Sequence, residues 1–381
     1  MTRAALFTPM RIGRMIVPNR IAVSPMAQYS ADRGCPTDWH FQHLGALAVS
    51  GPGLVFIEST SVEPQGYGCS ACLAMHDDEQ ERALSQLVQR LRAVSPAMLG
   101  LQIGHSGRKA SARLPLDGNG PLPLDEGGWQ VFGPSAISCG GGWPVPQELD
   151  EAGIARVRDA FVATASRAAR LDLNLLELHG AHGYLLHSFL SPVSNQRRDA
   201  YGGSPENRLR LVREIVVAVR AVWPEERALG IRLNAQDWVA GGLDLADTIG
   251  IAAALKEAGC DYVCVSAGAI SSEAKIPFSA GYLAPYAAEI KRSAGISTIV
   301  TGGVHDPHQA EAIVATGQAD GVAIARAFLD DPRWTWRAAQ ALGQSVDYPF
   351  QFMRAHPQRW PLAPPRAAEP VEETSRRRVL S

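Results

Sequence analysis

Long apolar runs are missing from this sequence: no stretch approaches the roughly 20 consecutive apolar residues of a membrane-spanning helix, and the N-terminal MTRAALFTPMRIG has no apolar core of signal-peptide length. A membrane protein is thereby excluded, and a cytoplasmic location is expected. Cysteine is scarce. Six residues (Cys35, Cys69, Cys72, Cys139, Cys260, Cys264) are too few for a disulfide scaffold in a chain of 381, and two of them fall in a buried-strand pattern, which suits a reducing compartment. Blocks of one charge are absent as well: 36 basic and 38 acidic residues are scattered along the chain. Nucleic acid and anionic membranes are therefore excluded as partners, and small molecules favoured. Two motifs are also lacking. No G-x-G-x-x-G follows the first strand segment, against a dinucleotide-binding doubly wound sheet, and no H-E-x-x-H offers a zinc pair.

What is present is a rhythm. Eight short apolar runs recur: NRIAVSPM, GLVFIEST, MLGLQIGH, LNLLELHG, ALGIRLNA, DYVCVSAG, STIVTGGV and DGVAIARAF. Each reads as a strand buried on both faces. Helix-period segments lie between them, among them DDEQERALSQLVQRLRAV, ELDEAGIARVRDAFVATASRAARL, PENRLRLVREIVVAVRAV, LADTIGIAAALKEAG and DPHQAEAIVATGQ. Eightfold alternation points to an α/β chain folded as a closed (β/α)8 TIM barrel with long βα loops. Residues 1–360 are read as one domain. The last stretch, 361–381, has the Pro, Ala and charge composition of a flexible tail.

In such a barrel the polar residues after each strand share one rim, where active sites are built. In order these are Tyr29; Glu58, Ser59 and Thr60; Gln102, His105 and Arg108; His179, His182 and Tyr184; Arg232 and Asn234; Ser266; Thr301, Gly302 and Gly303; and Arg326. The stretch ELHGAHGYLLH holds three of the ten histidines. His179 and His182 suggest a metal pair, but no third ligand accompanies them; structural packing is a second reading. The third is a pair of hydrogen-bond donors to an oxygen that gains negative charge, with the Tyr184 hydroxyl able to deliver a proton or simply to pack. TGGV and AIAR, after the last two strands, suggest a phosphate grip. Ser204 and Pro205 of GGSPENR read as a helix start. The C-x-x-C at Cys69 and Cys72 matches neither a thioredoxin nor a zinc pattern, and reads as incidental.

The stretches LFTPMRIGRMIVPNRIAVSPMAQYS, ELHGAHGYLLHSFLSPVSNQRRDAYGGSPENR and GVAIARAFLDDPRW together resemble the old yellow enzyme family of FMN-dependent ene-reductases, in its bacterial thermophilic-like or xenobiotic-reductase-like branch. The resemblance runs from about Leu6 to about Trp360. It implies a barrel with an N-terminal β-hairpin and one non-covalent FMN, reduced by NADPH or NADH. Ser24, Pro25, Met26 and Ala27 would lie along the flavin, with Ser59 and Gln102 at its pyrimidine edge and Arg232 facing its N1/C2 region. Gly302, Gly303, Ala325 and Arg326 would hold the phosphate. His179 and His182 would hold the substrate oxygen, with Tyr184 as proton donor and Tyr29 as a further substrate contact. An activated alkene would be reduced in the pocket that NAD(P)H vacates. Members of the branch pair as homodimers or larger assemblies in which a C-terminal arginine reaches the neighbour's pocket, so Arg354 and Arg359 are candidates.

Two departures from the family pattern stand out. Ala27 replaces the cysteine usual in this branch, so Ala27→Cys is expected to change the flavin potential and turnover; unchanged values of both would refute a role for the position. Ala325 replaces a usual glycine. His187 finds no role in this reading. Alternatives remain: a flavin-dependent reductase or hydroxylase of an aryl- or enoyl-CoA, a metal-dependent barrel hydrolase, or a non-catalytic flavin protein. No cysteine cluster for an iron–sulfur relay is present in the sequence.

Overall fold

In the computed structural model, which describes residues 3–360, the eight apolar runs become eight parallel strands. They are β1 (Ile21–Val23), β2 (Leu54–Ser61), β3 (Met98–Gly104), β4 (Leu175–Gly180), β5 (Ala228–Asn234), β6 (Tyr262–Ser266), β7 (Ser297–Val300) and β8 (Gly321–Ile324). Each pairs with its neighbour in sequence, and β8 returns to β1 through Val322↔Ile21, closing the barrel. Closure leaves the barrel sheet without an edge.

One end of the barrel is filled and the other is kept for chemistry. The strands Met10–Ile12 and Met15–Val17 form the expected antiparallel hairpin. Its Met10, Ile12, Met15 and Val17 pack with Ala22, Leu54, Phe56, Leu175, Ala228, Tyr262, Cys264, Ile299 and Ala323 into a core inside the strands. The fit is tight: a Cβ on Gly230 would overlap the Tyr262 ring, so this glycine makes room for the tyrosine inside the barrel. Outward-facing strand residues join the larger core under the helices.

Helices Asp78–Val94, Glu151–Ala169, Pro205–Val222, Leu245–Glu257 and Pro307–Ala315 match the periodic segments of the sequence. Ser204 accepts from Asn207 N–H with Pro205 at the first helical position, as the capping pattern implied. Asp38–Ala48 and Ala284–Ala294 are crossover helices that periodicity did not single out. The first buries a histidine, His40, where an apolar residue would mark the pattern. In the second, alanine supplies most of the buried face. Among the described residues no helix is long and apolar enough to cross a membrane. The tail expected to be flexible, 361–381, lies outside the described residues.

Candidate active site

His179 is the last inward side chain of β4, and the chain then turns sharply. His182 and Gly183 both take positive φ, 62° and 76°, so the turn is left-handed rather than helical, and the His182 ring folds back beside His179. A Cβ on Gly183 would stand 2.6 Å from the Ala269 carbonyl, which fixes glycine there. The two imidazoles meet edge to face with centroids 4.9 Å apart, and Tyr184 stands 4.8 Å from His179. Several groups hold this strained turn. Asn234 Oδ1 accepts from His182 N–H at 3.2 Å, and Lys109 Nζ donates to the His182 carbonyl at 2.7 Å and to Ala269 O at 3.0 Å.

A hydrogen bond assigns the His179 proton. His179 Nδ1 accepts from Ala181 N–H at 3.3 Å, which leaves its proton on Nε2. His182 Nε2 shares a 2.7 Å hydrogen bond with Ser266 Oγ that either group can donate. Burial pushes both pKa values well below the ordinary value, helped at His179 by the Arg232 charge and at His182 by His179 and Arg232. Both rings are therefore neutral N–H donors. Burial, with the Cys72, Tyr29 and Cys69 groups nearby, pushes Tyr184 up to about 12, so it keeps its proton.

Two adjoining cavities flank the pair. One, of about 300 Å³, is lined by Ala27, Tyr29, Ser59, Cys69, Cys72, Trp143, His179 and Tyr184 among others. The other, of about 570 Å³, is lined by Ser24, His182, Arg232, Ser266, Gly302, Gly303, Ala325 and Arg326 among others. Beneath lies a polar floor: the buried Glu177 accepts from Gln102 Nε2 and from Tyr262 OH, each at 2.7 Å. Burial raises the Glu177 pKa against the Arg232 charge. Arg232 itself is buried, reaches Ser24 Oγ at 3.3 Å through both terminal nitrogens, and leaves Nε without a partner. A buried guanidinium with an unused donor fits an acceptor-rich ligand. At the far end Gly302 and Gly303 take φ of 94° and 73°, and a Cβ on Gly303 would run into the Ser279 carbonyl.

The candidates named from the sequence thus separate. Ser24, Ala27, Tyr29, Ser59, His179, His182, Tyr184, Arg232, Gly302, Gly303, Ala325 and Arg326 line one cavity or the other. Pro25 and Met26 continue β1 beside them, half-buried, with Met26 against the core. Gln102 sits lower, in the floor. Arg354 and Arg359 are exposed and line neither cavity. His105, read as a rim residue, lines the smaller cavity and pairs with Glu63 at 2.9 Å, whereas Arg108 lines neither cavity and donates, buried, to the carbonyls of Ile137, Ser138 and Ile270. Among the described residues no group of three His, Cys, Asp or Glu could hold a metal ion.

Lys109 and His187 escaped the sequence reading. His187 Nδ1 accepts from Gly183 N–H at 2.9 Å, so its Nε2–H donates to Asp237 at 2.8 Å. Asp237 also accepts from Ser191 Oγ at 2.6 Å and Leu243 N at 2.8 Å, buckling the histidine turn to the loop after β5. His187→Ala is expected to cost about 1–3 kcal/mol and to lower the thermal midpoint by several degrees with flavin still bound; an unchanged midpoint would argue against the buckle.

An enzyme-like barrel, with a polar rim and a phosphate-sized cradle after β7 and β8, is the class these features define. Residues 5–345 match the NADH:flavin oxidoreductase / NADH oxidase family, and the chain belongs to that family, the old yellow enzymes its motifs resemble. It is 37% identical over 351 residues to the NADPH dehydrogenase of Geobacillus thermodenitrificans, covering 92% of this chain and 98% of the relative. The NADPH dehydrogenase of Bacillus subtilis is 36% identical over 351 residues, with the same shares covered. A solved structure of morphinone reductase in complex with tetrahydroNAD superposes with a TM-score of 0.75 at 26% identity, over 91% of this chain and 93% of that one.

Proposed function

We propose that this protein is a cytoplasmic, FMN-dependent NAD(P)H oxidoreductase that reduces the C=C bond of α,β-unsaturated carbonyl or nitro compounds. The observation that carries the reading is the pair of buried, neutral imidazoles of His179 and His182, edge to face, beside a buried arginine with an unused donor. FMN fits the residues present. Arg232 would meet the acceptor edge of its ring, Ser24 to Ala27 and Ser59 would line it above the Gln102 and Glu177 floor, and Gly302, Gly303, Ala325 and Arg326 would take its phosphate. When bound, FMN supplies the hydride-carrying redox centre that no side chain can.

The chain's own residues do the rest. His179 and His182 bind the carbonyl or nitro oxygen and stabilise the negative charge that grows on it, already in place and uncharged before the reaction begins. Tyr184 holds a proton on its hydroxyl beside His179, available to the carbon next to the carbonyl once charge has built up. Tyr29 and Ala27 close the acceptor side of the smaller cavity. Lys109, Asn234 and Ser266 position the His182 turn and ring. NADPH or NADH and the alkene would use the same cavity in turn, so no dinucleotide fold is needed. Residues to about 360 would act as one unit. Pairing of two copies, with Arg354 or Arg359 of one protomer offered to the cavity of the other, belongs to this reading.

Because both imidazoles are neutral well below their ordinary pKa and Tyr184 ionises only at about 12, alkene reduction should be flat with pH from about 6 to 9. A limb centred near 6.5 in the rate of flavin reoxidation would place a titrating imidazole in the site and contradict the assignment. The function itself is tested by releasing the chromophore from purified protein, identifying it, and assaying NAD(P)H oxidation with cyclohexenone, a maleimide and an aryl enoyl-CoA. FMN together with cyclohexanone formed in step with NAD(P)H consumed supports the reading. A colourless protein, or bound FMN that no acceptor reoxidises faster than dioxygen does, overturns it. Preference for the aryl enoyl-CoA would favour the acyl-CoA alternative.

A further inference from the structure

The wall of the smaller cavity carries chemistry that alkene reduction does not use. Cys69 and Cys72 both line it, with Ala27, Tyr29, His179 and Tyr184, and both are free thiols. Their sulfurs stand 2.7 Å apart. That is closer than two unbonded sulfurs ordinarily rest, and approaches the ~2.05 Å of a disulfide bond. The C-x-x-C turn sets this approach: Cys72 N–H donates to the Cys69 carbonyl, and Cys69 N–H donates to Cys72 Sγ, each at 3.2 Å. The neighbouring Cys72 thiol holds Cys69 below its ordinary pKa, while Cys72 is itself pushed up. The pair therefore divides into a nucleophile and a partner that keeps its proton.

The turn is also joined to the rest of the cavity wall. Ala31 N–H donates to the Ala71 carbonyl at 3.1 Å, and Ala112 N–H donates to the Gly68 carbonyl at 2.8 Å. One bond ties the turn to the segment carrying Ala27 and Tyr29, the other to the segment carrying Lys109 and Arg113, and all four of these residues line the same cavity. Movement of the turn is thus transmitted to both sides of the space the acceptor would enter.

We propose that Cys69 and Cys72 form a hydroperoxide-reactive dithiol that closes to an intramolecular disulfide inside the acceptor cavity, and that closure changes how tightly the cavity takes its acceptor. The Cys69 thiolate attacks a peroxide oxygen; the O–O bond breaks, leaving a sulfenic acid on Cys69 and releasing hydroxide. The Cys72 sulfur then displaces the sulfenic hydroxyl, forming the S–S bond, and the Cys72 proton leaves in the water produced. With the proton that Cys69 gave up, two thiols have lost two electrons and one hydrogen peroxide has become two waters. A small dithiol reverses the change by exchange.

The acceptor part rests on the proposed function; the disulfide does not. Purified holoenzyme is treated with hydrogen peroxide, alkylated, and examined by intact mass and by peptide mapping. The expected product is lighter by the mass of two hydrogens, resists alkylation at Cys69 and Cys72 while Cys35 still reacts, and returns to the starting mass with dithiothreitol. Its KM for cyclohexenone should move by about threefold or more and recover on reduction. Cys69→Ser should abolish the two-hydrogen loss. If both cysteines stay alkylatable, or pass to sulfinic acid without linking, the disulfide is overturned. If the disulfide forms and KM for cyclohexenone and maleimide stays unchanged, its effect on the acceptor is overturned. The mapping needs only the unmodified sequence and reads mass alone, so a failure of the flavin reading is seen separately, as a colourless protein.

Discussion

Replacing His179 and His182 together by alanine is expected to leave a yellow protein whose reduced flavin is reoxidised by cyclohexenone about 10³-fold more slowly. A single donor to a developing oxyanion is commonly worth about 10²–10³ in rate. Here two buried neutral rings stand side by side, their centroids 4.9 Å apart, with the nearby Arg232 and Lys109 charges helping to keep them unprotonated. Losing both takes away the two rings that would hold the acceptor oxygen; Arg232 lines the other cavity, where the flavin would use it. FMN should stay bound, since Arg232, the glycine cradle and Arg326 are untouched. The check is rapid mixing of dithionite-reduced protein with cyclohexenone; a double variant within tenfold of the unmodified protein would remove the pair from the mechanism.

Gly303→Val is expected to yield protein without flavin. The residue sits at φ 73°, and any Cβ there meets the Ser279 carbonyl. A β-branched side chain in this conformation carries a backbone cost of roughly 1–3 kcal/mol before the clash is counted, and relieving the clash moves the loop that would present N–H groups to the phosphate. Affinity for FMN should fall at least ~100-fold, about 3 kcal/mol. Flavin content per chain after gel filtration reads the result. A variant that keeps full flavin would move the phosphate away from Gly302 and Gly303.

The barrel was legible because its strands are buried on both faces, so VFI, LLEL and YVCV stand out as apolar runs without alternation. Most crossovers were legible from large apolar residues at helical spacing, as in Asp78–Val94, whereas Asp38–Ala48 buries His40 and Ala284–Ala294 buries mainly alanine. Within the site, the histidines could be named from their motif, but the device that joins them could not. It is a left-handed turn held by Lys109, Asn234 and Ser266, from three other strand ends. His187 stayed obscure for the same reason, since its partner Asp237 is 50 residues away.

Much of the long motif that carries the family resemblance turns out to build the scaffold. Arg197 donates to the carbonyls of Pro134 and Leu149 and pairs with Asp199; Asn195 donates to those of Phe189 and Tyr201. These bonds pin the helix Leu185–Leu190, whose first turn follows Tyr184, against the long loop after β3. Motif specificity here reports the cost of holding the site still as much as the site itself. The C-x-x-C shows the converse: spacing alone gave Cys69 and Cys72 no role, and only folding put both sulfurs in the cavity beside Tyr29 and Tyr184.

In the proposed reading, His179 and His182 hold an activated alkene for the hydride that reduced FMN would supply. The most direct test of that reading is anaerobic mixing of NADPH-reduced protein with cyclohexenone while the blue flavin band is followed. The band should return with one cyclohexanone formed per flavin, far faster than in the double-alanine variant. A band that stays bleached, or one that returns without cyclohexanone, would contradict it.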